Sequence, residues 1–156
     1  MSKDNLRKLV EEYLNEAKLM QIATVKDNKP WVATVWFAYD KNMNLYFISR
    51  KTRRHSLELK DNPNVAGAIV KPHKTLGVKT RGIQFEGKAS EVSLLELPKT
   101  FNLFVNRYPK TRKFMKSVRD IVKNITDHHI YKIIPSMIVL FDEVNFPDNS
   151  RQELKL

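Results

Sequence analysis

The stretch that decides the fold is IATVKDNKPWVATVWFAYD, residues 22–40, followed by LYFIS at residues 45–49. Apolar, β-branched and aromatic residues fill residues 19–25, 31–39 and 45–48, and turns rich in Asp, Asn and Pro separate these runs. Because short loops between successive strands favour antiparallel pairing, the stretch predicts a meander of three antiparallel strands.

The rest of the chain adds helices and further strands around this meander. In chain order we expect a helix within residues 1–18 capped by Ser2 or Asp4, a helix at 52–60 capped by Thr52, strands at 65–70 and 82–92, a helical insert at 94–124 broken at Tyr108-Pro109, strands at 130–134 and 137–144 split by Pro135, and an irregular polar tail at 146–156. The strand–helix alternation of a doubly wound fold is missing. The pattern predicts a mainly β (α+β) fold whose six to seven antiparallel strands close into a barrel.

Length and composition limit the classes of protein and of partner. A chain of 156 residues suits a single domain, here 1–156. Without cysteine, disulfides and thiolate sites are excluded. With no apolar run near the roughly 20 residues of a membrane span, we expect a cytoplasmic protein with no membrane partner. The 28 Lys and Arg against 17 Asp and Glu give a net charge of +11, which favours anionic ligands.

The basic run SRKTRRH, residues 49–55, lies where a strand ends and a helix begins. Only four glycines are present and no glycine-rich phosphate loop occurs, so side chains and a helix start must hold any phosphate. Free backbone N–H groups at a helix start and the planar fork of arginine both suit phosphate oxygens. The run predicts a phosphate site, and the alternative interpretation is a solvated basic turn.

Two further segments are candidates for contacts with a ligand. In the second strand, Thr34, Val35 and Trp36 are placed to border a flat aromatic ligand, although burial of both strand faces is the alternative. Arg81 and Gln84 are hydrogen-bond donors beside Gly82, which permits close backbone approach.

The sequence assigns no metal site and no catalytic residue. His128 and His129 are adjacent, so on a strand they point to opposite faces, and neither HExxH nor comparable spacing is present. No GxSxG nucleophile motif occurs.

These motifs, taken in order, resemble the pyridoxamine 5′-phosphate oxidase-like FMN-binding split-barrel family. The resemblance covers a strand ending in Ala-Thr-Val, a turn, an aromatic-rich strand, a strand ending in Ser49, a basic helix start, Asn62-Pro63, and later Glu86-Gly87-Lys88. It implies a split β-barrel and a homodimer with FMN sites at the interface. It also implies a small-molecule redox substrate, with nucleic acid not an expected partner.

The resemblance also implies which residues hold the cofactor. Counted back from Asn62-Pro63, the family's Ser-Arg-Lys falls on Arg53, Arg54 and His55, and its strand-ending hydroxyl falls on Ser49. The literal Ser49-Arg50-Lys51 is an alternative register that includes Lys51 but leaves the helix four residues too long. Arg54-His55 and the strand RGIQF at 81–85 resemble one small branch of the superfamily.

The chain departs from the vitamin B6 oxidases at its end. Those enzymes carry a tryptophan and an Arg-x-His motif, whereas the end NFPDNSRQELKL has Arg151 with neither the tryptophan nor the histidine. We therefore expect an FMN-binding flavoprotein, a flavin-dependent oxidoreductase of unknown substrate. A deazaflavin, haem or no cofactor are the alternatives that His55 in place of lysine leaves open. A basic nucleic-acid-binding module on the same fold is the alternative function.

Overall fold

The computed structural model describes residues 2–156. In chain order the elements are α1 (Lys3–Glu16), β1 (Leu19–Lys26), β2 (Lys29–Tyr39), β3 (Leu45–Arg50), α2 (Arg54–Asp61), β4 (Asn64–Ile69), β5 (Arg81–Glu91), α3 (Leu97–Arg107), a 3₁₀ helix (Pro109–Lys113), α4 (Val118–Val122), β6 (His128–Asp142) and β7 (Arg151–Lys155).

Six of the strands form a closed antiparallel barrel. The sheet order is β3-β2-β1-β4-β5-β6-β7, and an additional pairing between β3 and β6 closes the ring. β1 and β2 form a hairpin whose turn residues, Asp27 and Asn28, both have positive φ, as a two-residue turn between twisted strands requires. The predicted antiparallel split barrel is therefore confirmed.

The long strand β6 corrects the prediction that Pro135 splits two strands. The register with β5 shifts between Glu86 and Gly87, which pair with Met137 and Pro135 and leave Ser136 as an extra residue. A bulge of this kind absorbs the missing N–H of a proline. A Cβ on Gly87 would lie 2.3 Å from the carbonyl oxygen of Ile134, so only glycine fits opposite the bulge.

The C-terminal segment corrects a second prediction, the irregular polar tail at 146–156. Residues 151–155 form β7, which pairs with the second half of β6, from Met137 to Phe141. The first half of the same β6 edge pairs with β3. Leu154 is the apolar residue that β7 contributes to the barrel core.

Two helix starts differ in how they are capped. The Ser2 side chain accepts a hydrogen bond from the Asn5 backbone N–H at 3.3 Å and caps α1, as expected. Thr52 was the wrong choice for α2, because Arg53 occupies the N-cap position and makes no side-chain cap bond. The start of α2 therefore keeps backbone N–H groups without a side-chain partner.

The helical insert packs against the outside of the barrel. Pro109 ends α3 as predicted, and the chain continues as a 3₁₀ helix and the short α4. Phe101 and Phe104 of α3 lie in one apolar cluster with Ala38 and Tyr46 of the barrel wall.

We expect Leu154→Ala to lower the free energy of unfolding by about 2–5 kcal/mol, since it leaves a cavity in the barrel core. Leu154 is 1 % exposed, whereas Leu156, two residues later, is 45 % exposed. Leu156→Ala is therefore the matched control, with an expected change within about 0.5 kcal/mol. Urea unfolding of both variants is the measurement, and equal stability of the two would contradict the role of β7 in the core.

Candidate functional site

The end of β3 and the start of α2 form a buried polar cluster. Ser49 Oγ lies 2.7 Å from His55 Nε2 and accepts a hydrogen bond from Ser56 Oγ at 3.2 Å. All three side chains are buried. Burial, followed by the nearby charge of Arg53, lowers the pKa of His55 and so favours its neutral imidazole. Ser49 and His55, two expected phosphate ligands, are thus bonded to each other.

Arg54 is anchored on one side and free on the other. Its Nε donates to Glu58 Oε1 at 2.7 Å, and its guanidinium lies 4.5 Å from the ring centroid of Trp31. Glu58 is buried and also accepts a 2.5 Å hydrogen bond from Thr24 Oγ1. These hydrogen bonds lower the pKa of Glu58. Within residues 2–156, the two Nη groups of Arg54 form no hydrogen bond and remain available to a ligand.

The other cations of the basic run differ in availability. Lys51 Nζ lies 3.3 Å from Glu91 Oε1, and Arg50 Nε lies 3.3 Å from Asp127 Oδ2, so both are in ion pairs. Arg53 is exposed and has no ion-pair partner in the part of the chain that the structure describes. Arg53 and Arg54 are therefore the side chains best placed to receive an anion.

An apolar cavity of about 520 Å³ lies between the barrel and the insert. Its lining is largely aromatic and aliphatic, with a basic edge: Trp36, Ile48, Phe104, Arg107, Tyr108, Pro109, Lys110, Thr111, Phe114 and His128. The Trp36 and Tyr108 rings meet edge to face with their centroids 5.4 Å apart, and the ring centroids of Phe114 and His128 are 5.2 Å apart. The volume falls in the range of small-molecule and cofactor sites.

Hydrogen bonds to backbone carbonyls hold the insert in place over this cavity. Tyr108 Oη donates to the Phe37 carbonyl oxygen at 2.7 Å. Arg107 Nη2 donates to the carbonyl oxygens of Leu14 at 2.8 Å and Ala17 at 2.6 Å. The wall formed by α3 and the 3₁₀ helix is thus tied to both α1 and β2.

The cavity and the basic run meet at His128. This residue pairs with Arg50 across β3 and β6 and lines the cavity. Burial lowers the pKa of His128, and the charges of Arg50 and Arg53 lower it further. Neither His128 nor the cavity aromatics of the insert were predicted from the sequence to contact a ligand. The aromatic content of residues 101–114 was the available signal.

The candidate residues outside the basic run lie in different places. Thr34 and Trp36 are exposed on the outer face of β2, whereas Val35 points into the barrel core. Gln84 lies on the same outer face, but three strand spacings from Thr34, or about 14 Å. Arg81 is elsewhere, paired with Asp142 at 3.1 Å and 5.5 Å from the Tyr13 ring. Within a single chain, Trp36 and Gln84 are therefore too far apart to contact the same end of a ligand.

Residues 2–156 offer neither a cluster of metal ligands nor a membrane-spanning helix. These residues contain no group of three His, Asp or Glu side chains placed to hold a metal ion. None of their helices combines the length and apolar character needed to cross a bilayer.

Comparison with known proteins places this geometry in a family. A UPF0306 protein of Pasteurella multocida is 26 % identical over 104 residues, which cover 66 % of this chain and 69 % of that protein. General Stress Protein 26 of Bacillus anthracis superposes with a TM-score of 0.66 at 20 % identity, covering 97 % of this chain and 98 % of that one. A haem-binding protein of Mycobacterium smegmatis gives a TM-score of 0.71 at 13 % identity, covering 92 % and 57 %.

These structural likenesses establish the fold, and the family model provides the assignment. The model described as pyridoxamine 5′-phosphate oxidase matches residues 6–137, from α1 through the barrel and insert into β6. On that match, the chain belongs to the pyridoxamine 5′-phosphate oxidase family.

Proposed function

We propose that this protein is an FMN-binding flavoprotein that acts as a flavin-dependent oxidoreductase. The observation that carries the proposal is an aromatic cavity with His128 at its edge, where the charges of Arg50 and Arg53, beside the start of α2, are close enough to act on the imidazole. FMN has the same two parts, a flat apolar ring system and a phosphate. Membership of the pyridoxamine 5′-phosphate oxidase family supports the proposal.

The ring system fits the cavity wall. Trp36 and Ile48 provide the barrel side, and Phe104, Tyr108 and Phe114 provide the insert side. Aromatic walls stack favourably on flat ligands and exclude water from them. Thr34 lies next to Trp36 on the same strand face and supplies a hydroxyl at the margin. Val35 borders the ligand only through its backbone, because its side chain is in the core.

The phosphate fits the start of α2. Arg53 and the free Nη groups of Arg54 offer charge-assisted hydrogen bonds, and the first turn of α2 offers backbone N–H groups. Ser49 and His55 then act behind this surface by fixing the end of β3 to the helix. In this arrangement Lys51 is a neighbouring charge held by Glu91 rather than a direct ligand.

Bound FMN supplies hydride or electron transfer, which the side chains of the chain cannot perform. Trp36 and Tyr108 exclude water from the ring, and Arg53 and Arg54 hold the phosphate. His128, whose pKa is lowered mainly by burial, presents a ring nitrogen at the cavity edge. The substrate is a small molecule that reaches this same cavity.

A homodimer completes the proposed site. The outer face of β1, β2 and β4 exposes Leu19, Val32 and Trp36 beside the small side chains Ala66 and Ala68. A flat apolar face of this kind is typical of a protein interface. Gln84, too distant from Trp36 within one protomer, reaches the ring region from the partner subunit in this proposal, whereas Arg81 stays in its ion pair with Asp142.

Haem is a second candidate ligand. The cavity holds a histidine among aromatic side chains, and imidazole is a common axial ligand of haem iron. The haem-binding protein of M. smegmatis shares the fold.

Titration with FMN tests the first proposal. We expect the protein to turn yellow and quench flavin fluorescence, and Arg53→Gln to weaken FMN binding by about 10–100-fold, since it removes a charge-assisted hydrogen bond. Lys60→Gln, an exposed charge at the other end of α2, is the control. Absence of any FMN binding, or equal losses in the two variants, would refute the site. A haemin-dependent Soret band that disappears in His128→Ala would favour haem.

Sedimentation velocity tests the dimer. Ala66→Arg places an unpaired charge in the proposed interface, at a cost of about 3–5 kcal/mol, so dimerisation should weaken at least about 100-fold. Ala66→Ser should stay dimeric. A wild-type monomer, or an Ala66→Arg dimer, would show that this face is not the interface.

Three histidines that are buried or half-buried predict loss of stability in acid. The pKa values of His55, His128 and His129 all lie below the ordinary value for histidine, mainly because burial disfavours their charged forms. The unfolded chain therefore binds more protons than the folded chain at pH below that value, and the free energy of unfolding falls as pH drops from about 7 to about 5.

Urea unfolding at the two pH values measures this effect. We expect His55→Gln to show a smaller loss between pH 7 and pH 5 than the wild type. His73→Gln, which changes an exposed histidine, should keep the wild-type loss. A His55→Gln protein with the full wild-type pH dependence would contradict the assignment to the buried cluster.

A further inference from the structure

The insert exposes a cluster of large apolar side chains. Leu94, Leu95 and Ile125 are 70 %, 95 % and 70 % exposed, and Phe114 and Val122 are also exposed. Exposed apolar residues that occur singly are ordinary, whereas a contiguous group marks an interaction site. We call these five residues the insert patch.

Four members of the insert patch line two adjoining clefts, and the fifth, Leu95, follows Leu94 directly in the chain. Leu94 and Val122 line one cleft, and Phe114 and Ile125 line the other. Asn124, a turn residue with φ of 52°, lines both. The turn after α4 therefore joins the two halves into one surface.

Unpaired cations surround the insert patch. Lys113, Lys116, Arg119 and Lys123 are exposed, and none of them forms an ion pair with any residue from 2 to 156. Asp120 is the acidic residue of the segment 113–125. The acidic groups at its margin are already paired, Asp127 with Arg50 and Glu91 with Lys51 and His129. The surface is strongly positive.

The orientation of α4 explains why the basic and apolar side chains of this segment are exposed. Ile121 is buried and Val118 packs on the same apolar cluster, so this side of the helix faces the barrel. Arg119, Val122 and Lys123 follow the three-and-four spacing of the opposite side. The exposed side of α4 thus presents charge and apolar surface together.

This combination distinguishes between anionic partners. A nucleic acid attracts the cations, but its phosphate backbone offers nothing to Leu94, Leu95 or Ile125. The interface of an anionic bilayer accepts both, since apolar side chains enter the acyl boundary while lysine and arginine contact the headgroups. We propose that the insert patch binds the surface of an anionic phospholipid bilayer. This reverses the expectation of no membrane partner, which considered only spanning segments, and it does not depend on the proposed cofactor.

Vesicle sedimentation tests the proposal with the full-length protein. We expect binding to phosphatidylcholine vesicles containing about 30 % phosphatidylserine and little binding to pure phosphatidylcholine. Each cation near such a surface contributes about fivefold to partitioning, so Lys113→Gln/Lys116→Gln/Lys123→Gln should lower it about 100-fold. The control Lys3→Gln/Lys8→Gln/Lys155→Gln makes the same charge change on α1 and β7 and should lower it far less.

A second variant tests the apolar part. Leu94→Ser/Leu95→Ser should lower the binding that persists at about 0.5 M salt, where charge attraction is largely screened. These side chains are exposed, so the variant should fold, and an unchanged circular dichroism spectrum confirms that it does.

Four outcomes would overturn the proposal. The first is no sedimentation with anionic vesicles at low salt, and the second is an equal loss in the two lysine variants. The third is a short DNA duplex that displaces the protein from vesicles by binding through the same lysines, which would assign the patch to nucleic acid. The last is a dimer that becomes monomeric in Leu94→Ser/Leu95→Ser, which would assign it to a second copy.

Discussion

The pairing of β3 with β6 is the interaction on which the rest of the molecule depends. Six residue pairs, from Leu45 with Ile133 to Arg50 with His128, close the barrel. Because side chains alternate along a strand, this register directs Ser49 inward and Ile48 outward. Ser49 therefore meets His55 under α2, while Ile48 becomes part of the cavity wall. One ladder of backbone hydrogen bonds thus sets both sides of the candidate site.

The net charge of +11 is unevenly available to ligands. Arg54 illustrates the division, because the buried carboxylate of Glu58 needs a partner and takes one edge of its guanidinium. Lys51 and Arg50 are likewise held by acidic neighbours. The basic side chains that attract anions are therefore those outside such ion pairs, at the start of α2 and on the insert.

The insert contributes side chains to two different surfaces. Its inner side closes the aromatic cavity, and its outer side carries the insert patch with its cations. Arg107 and Tyr108 anchor it through backbone carbonyls of α1 and β2, so its position depends on the barrel rather than on its own short helices. Helices as short as α4 have little stability alone and are held by packing.

Local patterns in the amino-acid sequence were enough to predict the meander, the N-terminal helix with Ser2 or Asp4 as its cap, and the basic helix start after β3, because side-chain periodicity and turn chemistry act over a few residues. The family resemblance supplied the split barrel. Tertiary structure alone decided that Pro135 lies within a strand, since Gly87 sits opposite the bulge that absorbs its missing N–H. It also decided that residues 151–155 form a strand and that Phe104, Phe114 and His128 share a cavity. Whether a basic side chain such as Arg50 or Lys51 is free or already paired depends on Asp127 and Glu91, which only the tertiary structure brings near, and no local pattern encodes that.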